Sequence, residues 1–133
     1  MLSSRDVENA GRSPREPGRF VAERSAEARR ALADALTDHL EAVRACGEAH
    51  RIGDRMRAAE QLISLCDRLA TLHSALVAAA RATPALTGYA ALLSVLVRDL
   101  GAAQASRDGV RIADLLEHEA ATLLDRCQAA LSP

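Results

Sequence analysis

Lysine and tryptophan are absent from this chain of 133 residues, and Phe20 and Tyr89 are its only phenylalanine and tyrosine. The apolar 49% is therefore almost all Ala, Leu and Val, which favours helix over sheet and predicts helix packed on helix. With no lysine, every strongly basic residue is an arginine, a pattern that reads as a bias of base composition rather than selection for guanidinium chemistry. Net charge is −1, so the charge balance does not draw the chain to nucleic acid. Cysteine is scarce too: Cys46, Cys66 and Cys127 are odd in number and form no CxxC pair. That excludes a disulfide framework and suits small core residues of a reducing compartment. No glycine-rich loop is available to cradle phosphate. No apolar run suits a signal peptide or reaches the roughly 18 residues of a spanning helix, so a cytoplasmic location without membrane insertion is expected.

What the sequence does contain is a repeat. "IGDRMRAAEQL" from Ile52 to Leu62 and "RDGVRIADLL" from Arg107 to Leu116 are two versions of one turn. A shift of about 54 residues, the step from Val43 to Val97, also superposes Gly47 on Gly101, Asp54 on Asp108, Arg57 on Arg111, Leu62 on Leu116 and Leu69 on Leu123.

Residues 1–18 mix charge, Ser, Gly, Pro14 and Pro17 with almost nothing apolar. They cannot offset the entropy of ordering and are expected to form a disordered tail before one domain over 19–133. From about Phe20, the residues Leu32, Leu36, His39, Val43, Cys46 and His50 recur at the spacing of a helical seam, giving a first helix to Ile52. Gly53 supplies a left-handed helix end and Asp54 an N-cap for a second helix to about Arg81. That helix has Leu62, Leu65, Leu69, Leu72 and Leu76 as its seam, with Ile63, Cys66 and His73 beside it. Thr83 and Pro84 read as the N-cap and first residue of a third helix to about Ser106. After a turn at Arg107, Asp108 and Gly109, a fourth helix carries Ile112, Leu116, Ala120, Leu123 and Cys127. The pattern predicts an all-α, antiparallel up-down-up-down four-helix bundle with coiled-coil-like seams, a helical hairpin used twice. Gly47 and Gly101, each costly inside a helix, mark an expected close approach of backbones.

Few residues offer chemistry. Cys46 and His50 face the same way on the first helix, and antiparallel pairing brings Glu60 roughly opposite. Cys, His and Glu can ligate zinc, so a metal-binding bundle is one alternative. His39, about 16 Å up the helix from His50, is too far to join. Asp114, Glu117 and His118 suggest an acid–base pair or half of a carboxylate metal site. Against that, the counterpart of His118 is Ser64, and His118 shares a solvated arc with Arg111, Asp114, Thr122 and Asp125. His73 beside Ser74 has no positioned acid. No constellation points to an enzyme, and no cofactor is expected.

What remains is surface for other proteins. Leu92, Leu93, Leu96 and Val97, with Leu115, Leu116, Leu123 and Leu124, make apolar arcs wider than a coiled-coil seam requires. They either face the other two helices or open a groove for a partner helix or a second copy, with Leu93, Leu96, Leu116 and Leu123 as the contacts. The topology also gathers Arg51, Arg55, Arg57, Arg107 and Arg111 at one pole. Arg57 and Arg111 there are candidates to bind an acidic segment or phosphate, unless Asp54, Asp108, Glu60 and Asp114 neutralise them.

The stretch "SRDGVRIADLLEHEAATLLDRC" from Ser106 to Cys127, a polar turn followed by a helix with an LLE-x-E run and a Leu pair, resembles the final hairpin of small bacterial flagellar export chaperones. It is also similar to short helical proteins of motility loci whose last helix reads like "ADLLEYE", matched by Ala113 to Glu119 with His118 in the aromatic place. The first hairpin, "HRIGDRMRAAEQLISLCDRL", matches loosely. The resemblance implies a cytoplasmic chaperone or adaptor that covers the helical end of a secreted or flagellar subunit and presents it to a type III export apparatus. Chaperones of this kind are acidic, and this chain is nearly neutral. The alternative is a self-associating, dimeric helical adaptor without chaperone activity; monomer and homodimer both fit.

Overall fold

Two Ala- and Leu-rich stretches, each broken by a capped turn, fold as two antiparallel hairpins in a computed structural model that describes residues 16–132, with side chains over 23–132. Helix α1 spans Glu16–Ile52, α2 Arg55–Ala80 and α3 Thr87–Ala105, the last preceded by a 3-10 turn at Pro84–Leu86. Helix α4 is continuous over 109–131. It begins α-helical at Gly109–Asp114, widens to a π-helical segment at Leu115–Ala120 and ends α-helical at Ala121–Leu131. Among the described residues α1 and α3 each pack on α2 and α4 without diagonal contact, so the helices form a ring in chain order. This is the expected antiparallel four-helix bundle, with no strand among the described residues.

Two boundaries and one hydropathy reading differ from expectation. The tail expected over 1–18 lies outside the described residues up to position 15, but Glu16, Pro17 and Gly18 already belong to α1. Proline is tolerated there because a first helical turn has no partner for its N–H groups. Thr83 makes no side-chain cap; the Leu86 N–H donates to its carbonyl at 3.0 Å, and the 3-10 turn intervenes before α3. Finally, Arg55–Ala80 and Pro84–Ala105 each contain an 18-residue window of mean hydropathy 1.3, of which 28% is buried. Both are thus long and apolar enough to cross a membrane by composition, contrary to the expectation drawn from uninterrupted apolar runs.

The repeat is real in the backbone. In the first turn the Asp54 N–H donates to Ala49 and the Gly53 N–H to His50; in the second, Asp108 donates to Ala103 and Arg107 to Gln104. Asp54 Oδ1 accepts from the Arg57 N–H at 3.3 Å, and Asp108 Oδ1 from the Arg111 N–H at 3.0 Å. The left-handed position is filled by Gly53 (φ 79°) in one copy and Arg107 (φ 55°) in the other. A β-carbon is crowded there, at a cost of about 1–2 kcal/mol, so Arg107 carries strain that Gly53 avoids. Gly109, expected within the turn, is instead the first residue of α4.

The buried faces follow the same pairing. Leu32 and Leu86, Leu36 and Ala90, Cys46 and Leu100, Ala49 and Ala103 are buried in pairs, as are Ala58 and Ile112, Leu62 and Leu116. Beyond the π segment the register slips by one: Leu65 matches Ala120, Leu69 matches Leu124, Leu72 matches Cys127 and Leu76 matches Leu131, every one buried. A π segment accommodates one extra residue within a helix. Leu69 therefore corresponds to Leu124 and not to Leu123. The glycine expectation holds in one copy only. A β-carbon on Gly47 would lie 2.8 Å from Glu117 Cγ and 3.4 Å from Leu116 Cβ, whereas one on Gly101 meets open space.

Candidate protein-binding surface

Leu93, Leu96, Leu116 and Leu123, expected as partner contacts, are all buried in the bundle. Their wide arcs exist because each helix is covered on two flanks at once, α3 by α2 and α4, and α4 by α1 and α3. Leu93 and Leu116 are core, while Leu96 and Leu123, though buried, line the floor of the groove between α3 and α4. What α3 leaves outside is Leu92 and Val95, one turn apart and 56% and 42% exposed, next to half-buried Tyr89. Together with His118, Thr122 and Arg126 of α4 they line a groove of about 480 Å³, with Asp99 and Glu119 also on its walls. Sequence reading noted Leu92 but missed Val95 and Tyr89; the step of three from 89 to 92 to 95 was the available signal.

The two turns lie side by side, as the topology requires: Gly53, Asp54 and Arg55 share a groove of about 710 Å³ with Gln104, Arg107, Gly109 and Val110. The arginines around this pole are partly neutralised, but not by the acids expected. Arg51 Nε meets Glu117 Oε1 at 3.1 Å, and Arg111 Nη1 meets Glu119 Oε1 at 3.8 Å. Both glutamates belong to the π segment, whose wider turn re-aims them. The side chains of Arg55, Arg57 and Arg107 make no ion pair among the described residues, and they stand near two capping aspartates. Arg57 and Arg111 are both exposed, and each donates its backbone N–H to a cap.

The residues considered for metal or acid–base chemistry do not assemble. Cys46 Sγ lies 3.7 Å from His50 Nδ1, but that nitrogen is only 2.8 Å from the Cys46 carbonyl oxygen. Burial pushes the Cys46 thiol up to about 11, which opposes the thiolate a metal needs. Glu60 is exposed and lies with Gln61, Ser64 and Arg68 along the α1–α2 groove. Among the described residues no three His, Cys, Asp or Glu side chains converge to hold a metal ion. The zinc alternative on Cys46, His50 and Glu60 is thus not formed. Glu117 is committed to Arg51 and His118 is exposed. His39 joins α1 to α2, its ring nitrogens lying 2.6 Å from the Ala35 carbonyl oxygen and 3.1 Å from that of Arg68.

Comparison with protein-family models, with curated proteins and with solved structures finds no match to this chain.

Proposed function

We propose that this chain is a non-catalytic, cytoplasmic protein-binding bundle that receives an amphipathic helix of a partner in the α3–α4 groove. The observation that carries this reading is the exposure of Leu92 and Val95 one turn apart, above a wall of mixed polarity. Aliphatic anchors at that spacing suit the i, i+3 and i+7 residues of a bound helix. His118, Thr122 and Arg126 supply polar and charged groups that select its register. In its narrower form the partner is the helical end of a secreted or flagellar subunit and the chain is its chaperone; in the wider form the chain is an adaptor for any protein that carries such a helix. The Arg57 and Arg111 pole is a secondary contact for acidic residues flanking that helix.

The reading is tested with helical peptides selected from a random library against the folded protein. Bound peptides should shift amide resonances over 89–99 and 118–126, and Leu92→Asp should abolish binding while leaving helical circular dichroism unchanged. Peptides that bind equally well to Leu92→Asp, or a library that yields none, would overturn it.

A further inference from the structure

The three most exposed large apolar side chains among the described residues stand at one end of the bundle: Met56 at 77%, Val110 at 75% and Ile52 at 64%. Met56 and Val110 are counterparts in the repeat, each the second residue of its helix and two places after the capping Asp54 or Asp108. The turn does not need them, since the aspartates cap through their own side chains. Single exposed apolar residues are ordinary on a protein surface. Here three gather at one end, and the repeat uses the same position twice. The loop at the other end differs: its one large apolar side chain, Leu86, is fully buried.

Arginines surround these side chains. Over 51–57 and 104–111 there are five arginines against two aspartates, and both aspartates accept backbone N–H groups of the turns. Glu117 and Glu119 take up Arg51 and Arg111; Arg55, Arg57 and Arg107 make no ion pair among the described residues. Arg55 and Arg107 line, with Val110, the groove of about 710 Å³ between the turns, whose floor is the buried Ala49, Ala58, Leu62 and Ile112. Arg107 holds its place at a cost, for it takes the left-handed position that Gly53 fills without strain. Glycine would make that turn better; arginine adds a charge to this end instead.

We propose that this end of the bundle binds the surface of a membrane containing anionic phospholipid, Ile52, Met56 and Val110 entering the headgroup layer while Arg55 and Arg107 pair with lipid phosphates. Apolar side chains that project from helix ends offer a protein partner no pocket to fill, whereas a fluid surface accepts them without a preformed complement. Guanidinium groups match phosphate oxygens through paired hydrogen bonds, and each basic residue at an anionic surface adds about fivefold to binding. Peripheral attachment takes two signals together, an apolar one and a basic one, and both lie at this end. No helix spans the bilayer in this arrangement; the bundle stands on it with its buried faces unchanged. The α3–α4 groove shares no residue with the groove between the turns, so the proposal does not rest on the role given to the former.

At low salt the full chain should float with vesicles of equal parts phosphatidylglycerol and phosphatidylcholine, come off as salt is raised, and stay unbound to phosphatidylcholine alone. The double variant Met56→Asp, Val110→Asp should bind more weakly by about tenfold or more. Its helical circular dichroism should be unchanged, because both side chains are exposed and an acid suits the first turn of a helix. Arg107→Gly separates binding from folding: it should raise the thermal midpoint while weakening vesicle binding about fivefold. Leu92→Asp should bind vesicles as the unaltered chain does, which keeps this test apart from that of the α3–α4 groove. The proposal is overturned by a chain that ignores phosphatidylglycerol, by equal binding to phosphatidylcholine, or by Arg107→Gly binding unchanged. Vesicle binding that survives the double variant, and so runs through the apolar windows of α2 or α3, also overturns it. So does a polyglutamate peptide that binds this end more tightly than the vesicles do, or a dimer in sedimentation equilibrium that the double variant splits.

Discussion

The α1–α2 and α3–α4 hairpins share a turn bonded in the same way and a buried face matched residue for residue, yet they differ in what surrounds that face. In the second hairpin, α4 is covered by α1 on one flank and α3 on the other, and carries an extra residue in a π segment. In the first, α2 lies between α1 and α3 in the same way but stays regular and keeps Ile63 and Val77 exposed. The repeated residues specify the hairpin itself; the residues that differ, Leu40 against Ser94 and Gly47 against Gly101, decide how closely its neighbours approach. A repeat of this kind fixes local geometry twice and leaves tertiary contact free to diverge.

The most severe way to break the correspondence is to change helical phase. Deleting Ser64 rotates Leu65, Leu69, Leu72 and Leu76 by about 100° around α2 and should leave the chain unfolded by circular dichroism. Deleting His118 should convert the π segment to regular helix, keep Ala120, Leu124, Cys127 and Leu131 facing the core, and preserve the fold. Equal damage from both deletions would refute the assignment of an extra residue. Next in size, Leu62→Ala and Leu116→Ala remove matched, fully buried side chains, and each should cost about 2–5 kcal/mol in urea unfolding.

The glycines should respond with opposite signs. Gly47→Ala meets Glu117 Cγ and Leu116 Cβ and should lose about 1–2 kcal/mol, whereas Gly101→Ala in open space should gain about 0.5–1 kcal/mol from helix propensity. The turns divide in a similar way: Arg107→Gly should gain about 0.5–1 kcal/mol, and Gly53→Ala should lose about 1 kcal/mol.

The smallest expected effect is alkaline. Each hairpin holds one fully buried thiol opposite a leucine in the other: Cys46 matches Leu100, and Cys127 matches Leu72. Burial holds both thiols up to about 11, against an ordinary 9.0 that the unfolded chain regains. Above that ordinary value the unfolded chain loses thiol protons that the native chain keeps, so stability should fall as pH rises from about 9 to about 11. Thermal midpoints measured across this window should decline, and the double variant Cys46→Ala, Cys127→Ala should flatten the decline while lowering the midpoint throughout.

Local chemistry in the sequence was enough to determine the helices, their antiparallel order and both turns. Leucine periodicity marks a buried face, and Asp54 and Asp108 cap by contacts that reach only three residues along the chain. The same periodicity could not assign Leu93, Leu96, Leu116 and Leu123 to core or to groove, because a wide apolar arc looks alike in sequence whether one neighbour covers it or two. Nor could it find the extra residue in α4, which shows in the one-residue slip of the buried positions beyond the π segment and in the turn of Glu117 and Glu119 toward Arg51 and Arg111. Arg51 and Glu117 lie far apart in the chain, and the geometry of that contact depends on how the helices pack. Tertiary structure alone therefore decided that Gly47 is a contact while Gly101 is open, that Cys46, His50 and Glu60 do not converge, and that an open surface lies at Leu92 and Val95.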